Sequence, residues 1–242
     1  MIRIEGVFGG YGGLDILSDF QLSVPADSIN CIVGPNGAGK STVLKTISGV
    51  LQPRRGSIEI DGVDVVGMKP ADVLRHGVVQ VPQRHGLFSG LSVRNNVLMG
   101  AYVARKGRRR LESRYEELTQ MFPIIAKRAT ENAGSLSGGQ RRMVEFARAM
   151  MLDPKVVLLD EPTLGLDPIS RQIIHDSTRM MNNAGVTVLM VEQNVRFGLS
   201  LADDVTVMSA GSVVLSGTAA EVESHPDLMG LFFGLVPGRV PR

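Results

Sequence analysis

Two hydrophobic patterns divide the chain. In the first, apolar and polar residues alternate: Ile2, Ile4 and Val7 lead one such stretch, and Ile16 to Val24 forms a second. Alternation of this kind predicts half-buried antiparallel strands. Gly9-Gly10-Tyr11-Gly12-Gly13 lies between them, and Pro25-Ala26-Asp27 turns the chain afterwards. Ile29-Asn30-Cys31-Ile32-Val33 reads as a buried strand, and Val78 to Gln83 as a compact apolar one with a polar end. Val156-Val157-Leu158-Leu159 is apolar throughout, which predicts a central parallel strand covered on both faces.

Helical periodicity fills the intervals. It predicts helices from Thr42 to Ser48, closed by Gly49, from Pro70 to Arg75, from Pro168 to Asn183, from Asn194 to Ala202 and from Ala219 to Ser224. Gly56 to Gly62 reads as a short strand and turn. A strand over Val186 to Val191 continues the β–α alternation, and Val205 to Met208 pairs with Val213 to Ser216 across Ala210-Gly211. Between Ser92 and Met151 the pattern becomes almost wholly helical. Ser92 caps Val93 to Ala104, Leu111 to Phe122 follows, Pro123 breaks the run, and Leu136-Ser137-Gly138-Gly139-Gln140 opens a helix to Met151. Val144, Ala147 and Met151 give that helix its apolar face. This stretch is expected to be an inserted lobe. A single domain over 1–242 is therefore divided into a core of 1–84 and 152–242 and a helical part of 85–151. The basic run Arg105 to Arg110 reads as a solvated linker.

Composition narrows the class. The chain has 242 residues, 43% of them hydrophobic and 21% charged, as in ordinary globular proteins. A net charge of +2 gives no argument for nucleic acid as a partner. The single cysteine, Cys31, excludes an intrachain disulfide and reads as a small apolar residue of a core strand. No apolar run reaches the 18 or so residues of a membrane span, and no leader pattern opens the chain, so any membrane role is expected to be peripheral.

The chemistry concentrates in one stretch, Gly34-Pro35-Asn36-Gly37-Ala38-Gly39-Lys40-Ser41-Thr42, which fits G-x-x-x-x-G-K-[ST] between a strand and a helix. Glycines let backbone N–H groups wrap an anion, Lys40 supplies a point charge to β/γ-phosphate oxygens, and the Ser41 hydroxyl suits Mg²⁺. Asp160 and Glu161 end the central apolar strand, where ligands of parallel sheets bind. Asp160 can hold the Mg²⁺ shell, and Glu161 can polarise an attacking water. Gln83 ends the strand from Val78, beside the same site. The helix N-terminus at Ser137-Gly138-Gly139 forms a second anion site. Tyr11, set between glycines, reads either as a turn residue or as a platform for a purine ring.

Taken in order, these motifs resemble the ATP-binding subunits of ABC transporters over essentially the whole chain. The phosphate loop, Gln83 in the Q-loop position, Leu136 to Gln140 as signature, the Asp160-Glu161 strand and Gly165-Leu166-Asp167 as D-loop follow the family order. The resemblance implies an α/β fold with a P-loop NTPase core, an antiparallel β subdomain and an inserted α-helical subdomain. It implies ATP and Mg²⁺ as cofactors, with Ser41, Gln83 and Asp160 around the metal. Glu161, Lys40 and Gln193 become the catalytic residues, and Tyr11 the adenine platform. A head-to-tail dimer, either homodimer or heterodimer, would let Ser137, Gly138, Gly139 and Gln140 of one subunit close on nucleotide held by the other.

The remaining partners implied are transmembrane permease subunits, one of whose helices enters a groove coupled to Gln83, and indirectly a solute-binding protein. The expected location is the cytoplasmic face of the inner or plasma membrane. Val191-Glu192-Gln193-Asn194 and Gly100-Ala101-Tyr102 resemble the branched-chain amino acid importer type, although most of the family carries histidine where this chain has Gln193. Members of that type often depart from the common pattern at the Q-loop glutamine and the D-loop aspartate, whereas Gln83 and Asp167 are retained here. Urea and amide importers have closely similar subunits. A small-molecule P-loop kinase, a soluble ABC protein of DNA repair or translation, and an exporter are the competing classes.

Overall fold

The computed structural model describes residues 1–84, 86–103 and 108–235, with the side chain of Arg108 left out. Ala104 and the first part of the basic run, together with the tail from Pro237 to Arg242, lie outside the described residues.

The chain opens with an antiparallel pair, β1 (Ile2–Gly9) and β2 (Leu17–Val24), followed by β3 (Ile29–Val33) and α1 (Lys40–Ile47). Next come β4 (Arg55–Ile60), β5 (Val63–Asp64), α2 (Pro70–Arg75) and β6 (Val78–Val81). Among the described residues, four helices then stand between β6 and the next strand: α3 (Val93–Met99), α4 (Arg108–Met121), α5 (Ile124–Lys127) and α6 (Gly138–Met150). The chain returns through β7 (Val156–Asp160), α7 (Pro168–Asn183), β8 (Thr187–Glu192) and α8 (Val195–Leu201). It closes with β9 (Asp204–Ser209), β10 (Ser212–Thr218), α9 (Ala219–Glu223) and α10 (Leu228–Phe232).

Two sheets result. One is antiparallel with strand order β2-β1-β4-β5, and the other runs β10-β9-β3-β8-β7-β6. In the larger sheet β9, β3, β8, β7 and β6 are parallel, and β10 pairs antiparallel with β9 at the edge. Every residue of β3, β7 and β8 is buried, which explains their largely apolar character; the amide of Asn30 inside β3 donates to the Ser28 hydroxyl. Alternate side chains enter two cores. Ile32, Leu158, Leu189 and Val191 face α1 and the antiparallel sheet, while Cys31, Val157, Leu159 and Val188 pack toward Val144, Phe146 and Ile174. At roughly 1.5–3 kcal/mol for each buried large aliphatic side chain, these two layers supply most of the drive that fixes the sheet.

The structure adjusts several predicted boundaries. The first helix begins at Lys40 rather than Thr42, because Gly39 takes φ +102° and turns the loop straight into the helix. The helix from Val93 stops at Met99 with Gly100 as its C-cap, short of Ala104. The helical run is interrupted for two residues only, Phe122 and Pro123, since Pro123 is the N-cap of α5. β5, α5, α10 and a 3₁₀ turn at Ala133–Ser135 were not predicted; each is too short to show a period.

Candidate functional site

The parallel register decides what meets at the carboxyl edge of the larger sheet. Val33 pairs with Glu192, and Asp160 with Val191, so the segments leaving β3, β7 and β8 emerge side by side. The loop Gly34 to Gly39 leads into α1, whose N-cap has no side-chain hydrogen bond. The first N–H groups of that helix therefore have neither an intrahelical nor a capping side-chain partner, and they point at the loop. Gly39 is required there. Besides its φ of +102°, a Cβ would stand 2.9 Å from the Met208 Cε. Pro35 and Ala38 close the loop through a bond from the Ala38 N–H to the Pro35 carbonyl at 3.2 Å, while Asn36 and Gly37 are exposed.

Lys40 is only 4% exposed. Its ammonium donates to the carbonyls of Gly34 at 2.8 Å and Pro35 at 3.0 Å, and lies 3.5 Å from Glu161 Oε1. Burying an ion costs several kcal/mol unless partners replace its water, and here two carbonyls and one carboxylate do so. Ser41 donates to Asp160 Oδ1 at 2.8 Å. Burial pushes the Asp160 carboxyl above its ordinary range, the bond from Ser41 opposes this, and the charge of Glu161 adds to the rise.

Glu161 stands just past β7 with φ +44°, a left-handed conformation that costs a β-carbon residue roughly 1–2 kcal/mol. Its N–H donates to the Val191 carbonyl at 3.0 Å, and its own carbonyl accepts from the Leu164 N–H at 3.2 Å, so its backbone is held on both sides. Its carboxylate accepts from Gln83 Nε2 at 2.6 Å. Gln83, Glu161, Lys40, Ser41 and Asp160 thus form one cluster drawn from three segments of the chain. Backbone donors with a buried ammonium suit a phosphate, and hydroxyl plus carboxylate oxygens suit a hard divalent cation.

The other predicted residues lie around this cluster. Tyr11 is 46% exposed; its hydroxyl accepts from Lys45 Nζ at 3.1 Å, and the same ammonium lies 5.5 Å from the ring centroid. Gln193 is exposed and lines a recess with Glu161, Thr163 and Glu192. It does not cap the following helix, because the Asn194 side chain accepts from the Phe197 N–H. Asp167 caps α7, accepting from the Ser170 N–H at 2.9 Å and the Ser170 hydroxyl at 2.6 Å, which hold its carboxyl below the usual range. Thr42 is buried inside α1.

Ser137 and Gln140 form a reciprocal capping box at the start of α6. The Gln140 N–H donates to Ser137 Oγ at 3.3 Å and the Ser137 N–H to Gln140 Oε1 at 3.0 Å. The Ser137 hydroxyl acts there as acceptor, so its own proton stays available. Gly138 and Gly139 pack near Leu166 and Ser170. Among the described residues no hydrogen bond joins this turn to the phosphate-loop cluster.

Sequence reading missed Glu192 and Thr163. Glu192 is 2% exposed and accepts from the Thr163 N–H at 3.1 Å and hydroxyl at 2.7 Å. Burial pushes its carboxyl up, and the Thr163 bonds pull the other way. The available signal was a carboxylate closing an apolar strand, the same signal that singled out Asp160.

The sequence profile described as ABC transporter matches residues 17–164. A high-affinity branched-chain amino acid transport ATP-binding protein, BraG of Pseudomonas aeruginosa, is 35% identical over 97% of this chain and 100% of its own length. A probable counterpart, LivF of Archaeoglobus fulgidus, is 33% identical over 98% of this chain and 100% of its own. The lipopolysaccharide export system ATP-binding protein LptB of Haemophilus influenzae is also 33% identical, over 97% of each chain. Among solved structures, an ATP-binding cassette of an ABC transporter in its ADP conformation superposes with a TM-score of 0.83 at 27% identity, covering 97% of this chain and 98% of that one.

Proposed function

Because the chain belongs to the ABC transporter family of ATP-binding, ATP-hydrolysing subunits, we propose that it powers import of branched-chain or other amino acids through separate permease subunits. The observation that carries the hydrolytic part is the cluster of Lys40, Ser41, Gln83, Asp160 and Glu161 at the carboxyl ends of β3, β6 and β7. Lys40 exchanges its two loop carbonyls for β/γ-phosphate oxygens, joined by the unpartnered first N–H groups of α1. Ser41 and Asp160, with Gln83, hold Mg²⁺, which when bound neutralises charge on the phosphate oxygens. Glu161, freed from Lys40, orients and polarises the attacking water. Gln193 donates to the γ-phosphate; its amide cannot titrate as a histidine would. Tyr11 stacks on adenine.

The residue range 85–151 acts as the helical part and the rest as the nucleotide-binding core. Ser137, Gly138, Gly139 and Gln140 of one subunit close on nucleotide at Lys40 of another, with Asp167 at the junction. The second subunit is either this chain or a related ATPase. Among the described residues no helix is long and apolar enough to cross a membrane. In this reading the chain attaches to the cytoplasmic face through the permease, and a solute-binding protein acts indirectly.

The similarity to a lipopolysaccharide exporter subunit favours a second reading, in which the same motor drives export. One experiment separates them. Source cells whose only copy carries Lys40→Ala should lose high-affinity uptake of labelled leucine, isoleucine and valine. Unchanged uptake, with an envelope lipid accumulating on the inner side, would overturn import in favour of export.

A further inference from the structure

Arg142 lies inside α6, 8% exposed, and its guanidinium reaches out of the helix to another segment. It donates to the Pro82 carbonyl at 2.9 Å, to the Gln83 carbonyl at 3.0 Å and to Glu145 Oε2 at 2.7 Å. Further along the helix, Arg148 donates to the Gly86 carbonyl at 2.5 Å and its guanidinium carbon lies 5.2 Å from the Phe88 ring centroid. Glu145 packs so tightly beneath Gly86 that a Cβ at that glycine would overlap its carboxylate. Three side chains of one helix therefore grip the backbone that carries Gln83. The Gln83 side chain in turn holds Glu161.

We propose that Arg142 is a positioning residue for ATP hydrolysis, fixing Gln83 against Glu161 and tying that placement to the helix that begins at Ser137. A guanidinium suits the task because its rigid, planar set of donors can meet two successive carbonyls and a carboxylate at once, which an ammonium point charge cannot. The linkage is contiguous: Ser137 caps α6, Arg142 follows within the next turns, then come the Gln83 backbone, the Gln83 amide and Glu161. A shift of α6 carries Gln83 with it. Without the fork, the Gln83 backbone relaxes and its amide leaves the carboxylate. A guanidinium that merely fills the interior would affect stability and leave the reaction alone.

The proposal rests on the hydrolytic reading of Gln83 and Glu161, and the test keeps the two apart. Steady-state ATP turnover and melting temperature are measured on the purified full chain for Arg142→Met, Arg142→Lys, Gln83→Ala and the Gln83→Ala/Arg142→Met pair. Arg142→Met should lower kcat about tenfold, the scale of one lost charge-assisted hydrogen bond, with KM for ATP within about twofold of the parent. Arg142→Lys should recover part of the loss. In the Gln83→Ala background the Arg142 substitution should add nothing, since both act through one amide. Losses that multiply in the double variant would overturn the role of Arg142 while leaving that of Gln83 standing. An unchanged kcat in Arg142→Met, or joint loss of kcat, ATP affinity and melting temperature in both Arg142 variants, would do the same. Parent-like turnover of Gln83→Ala would remove Gln83 from the reaction, and this proposal with it.

Discussion

Glu192 shows how one buried carboxylate sets a pH dependence. Its carboxyl is pushed above the ordinary 4.5 by burial, with the two Thr163 bonds and a backbone bond from Asn194 opposing. The folded chain therefore holds this proton more tightly than the unfolded chain does. The fold bears no penalty below the unfolded value, loses stability as pH rises toward the folded one, and carries the whole penalty above it. Both Thr163 bonds end on Oε1, so a glutamine oxygen can accept them without the charge. Glu192→Gln should melt a few degrees higher than the parent at neutral pH, at about 2–4 °C for each kcal/mol in a chain of this size. The gap should close as the pH falls below 4.5, the ordinary value. Thermal scans across that range check it. A variant that melts lower at neutral pH would mean that the fold needs the charge.

At the scale of elements, the start of α6 does two things with one serine. Ser137 caps its own helix through the box with Gln140, and its remaining proton is offered outward. Losing such a cap costs about 1 kcal/mol, small against the roughly 5–15 kcal/mol that hold a domain together. Ser137→Arg should therefore fold, bind ATP at its own Lys40 with parent affinity, and turn it over at least about tenfold more slowly, since a bulky cation blocks closure on the other subunit's nucleotide. Nucleotide titration beside a turnover assay separates the two effects. Equal loss of both would show that the turn serves its own chain.

The same scale shows what a sequence discloses. The strands β3, β7 and β8 were legible because each is buried along its full length, so apolar residues dominate each run. α7 was legible from Pro168 to Asn183 because it is long, amphipathic and starts with proline. The one-turn helices α5 and α10 and the two-residue β5 carry no period to detect. Within the site, the residue types and their order could be read. The bonds between Gln83 and Glu161, or Arg142 and Gln83, could not, because they join positions 78 and 59 residues apart through the packing of α6 on the sheet.

For the whole molecule, the two cores cover the larger sheet on both faces, and β3, β7 and β8 deliver their last residues side by side at its carboxyl edge. That packing supports Glu161 in its left-handed conformation, with its carboxylate within reach of both Lys40 and Gln83. The central claim is that this carboxylate drives water onto ATP. Steady-state ATP turnover of Glu161→Gln at saturating nucleotide, measured beside the parent, tests it most directly. The amide keeps the shape and loses the base, so turnover should fall by about 10²–10⁴-fold. Turnover equal to the parent would contradict the account.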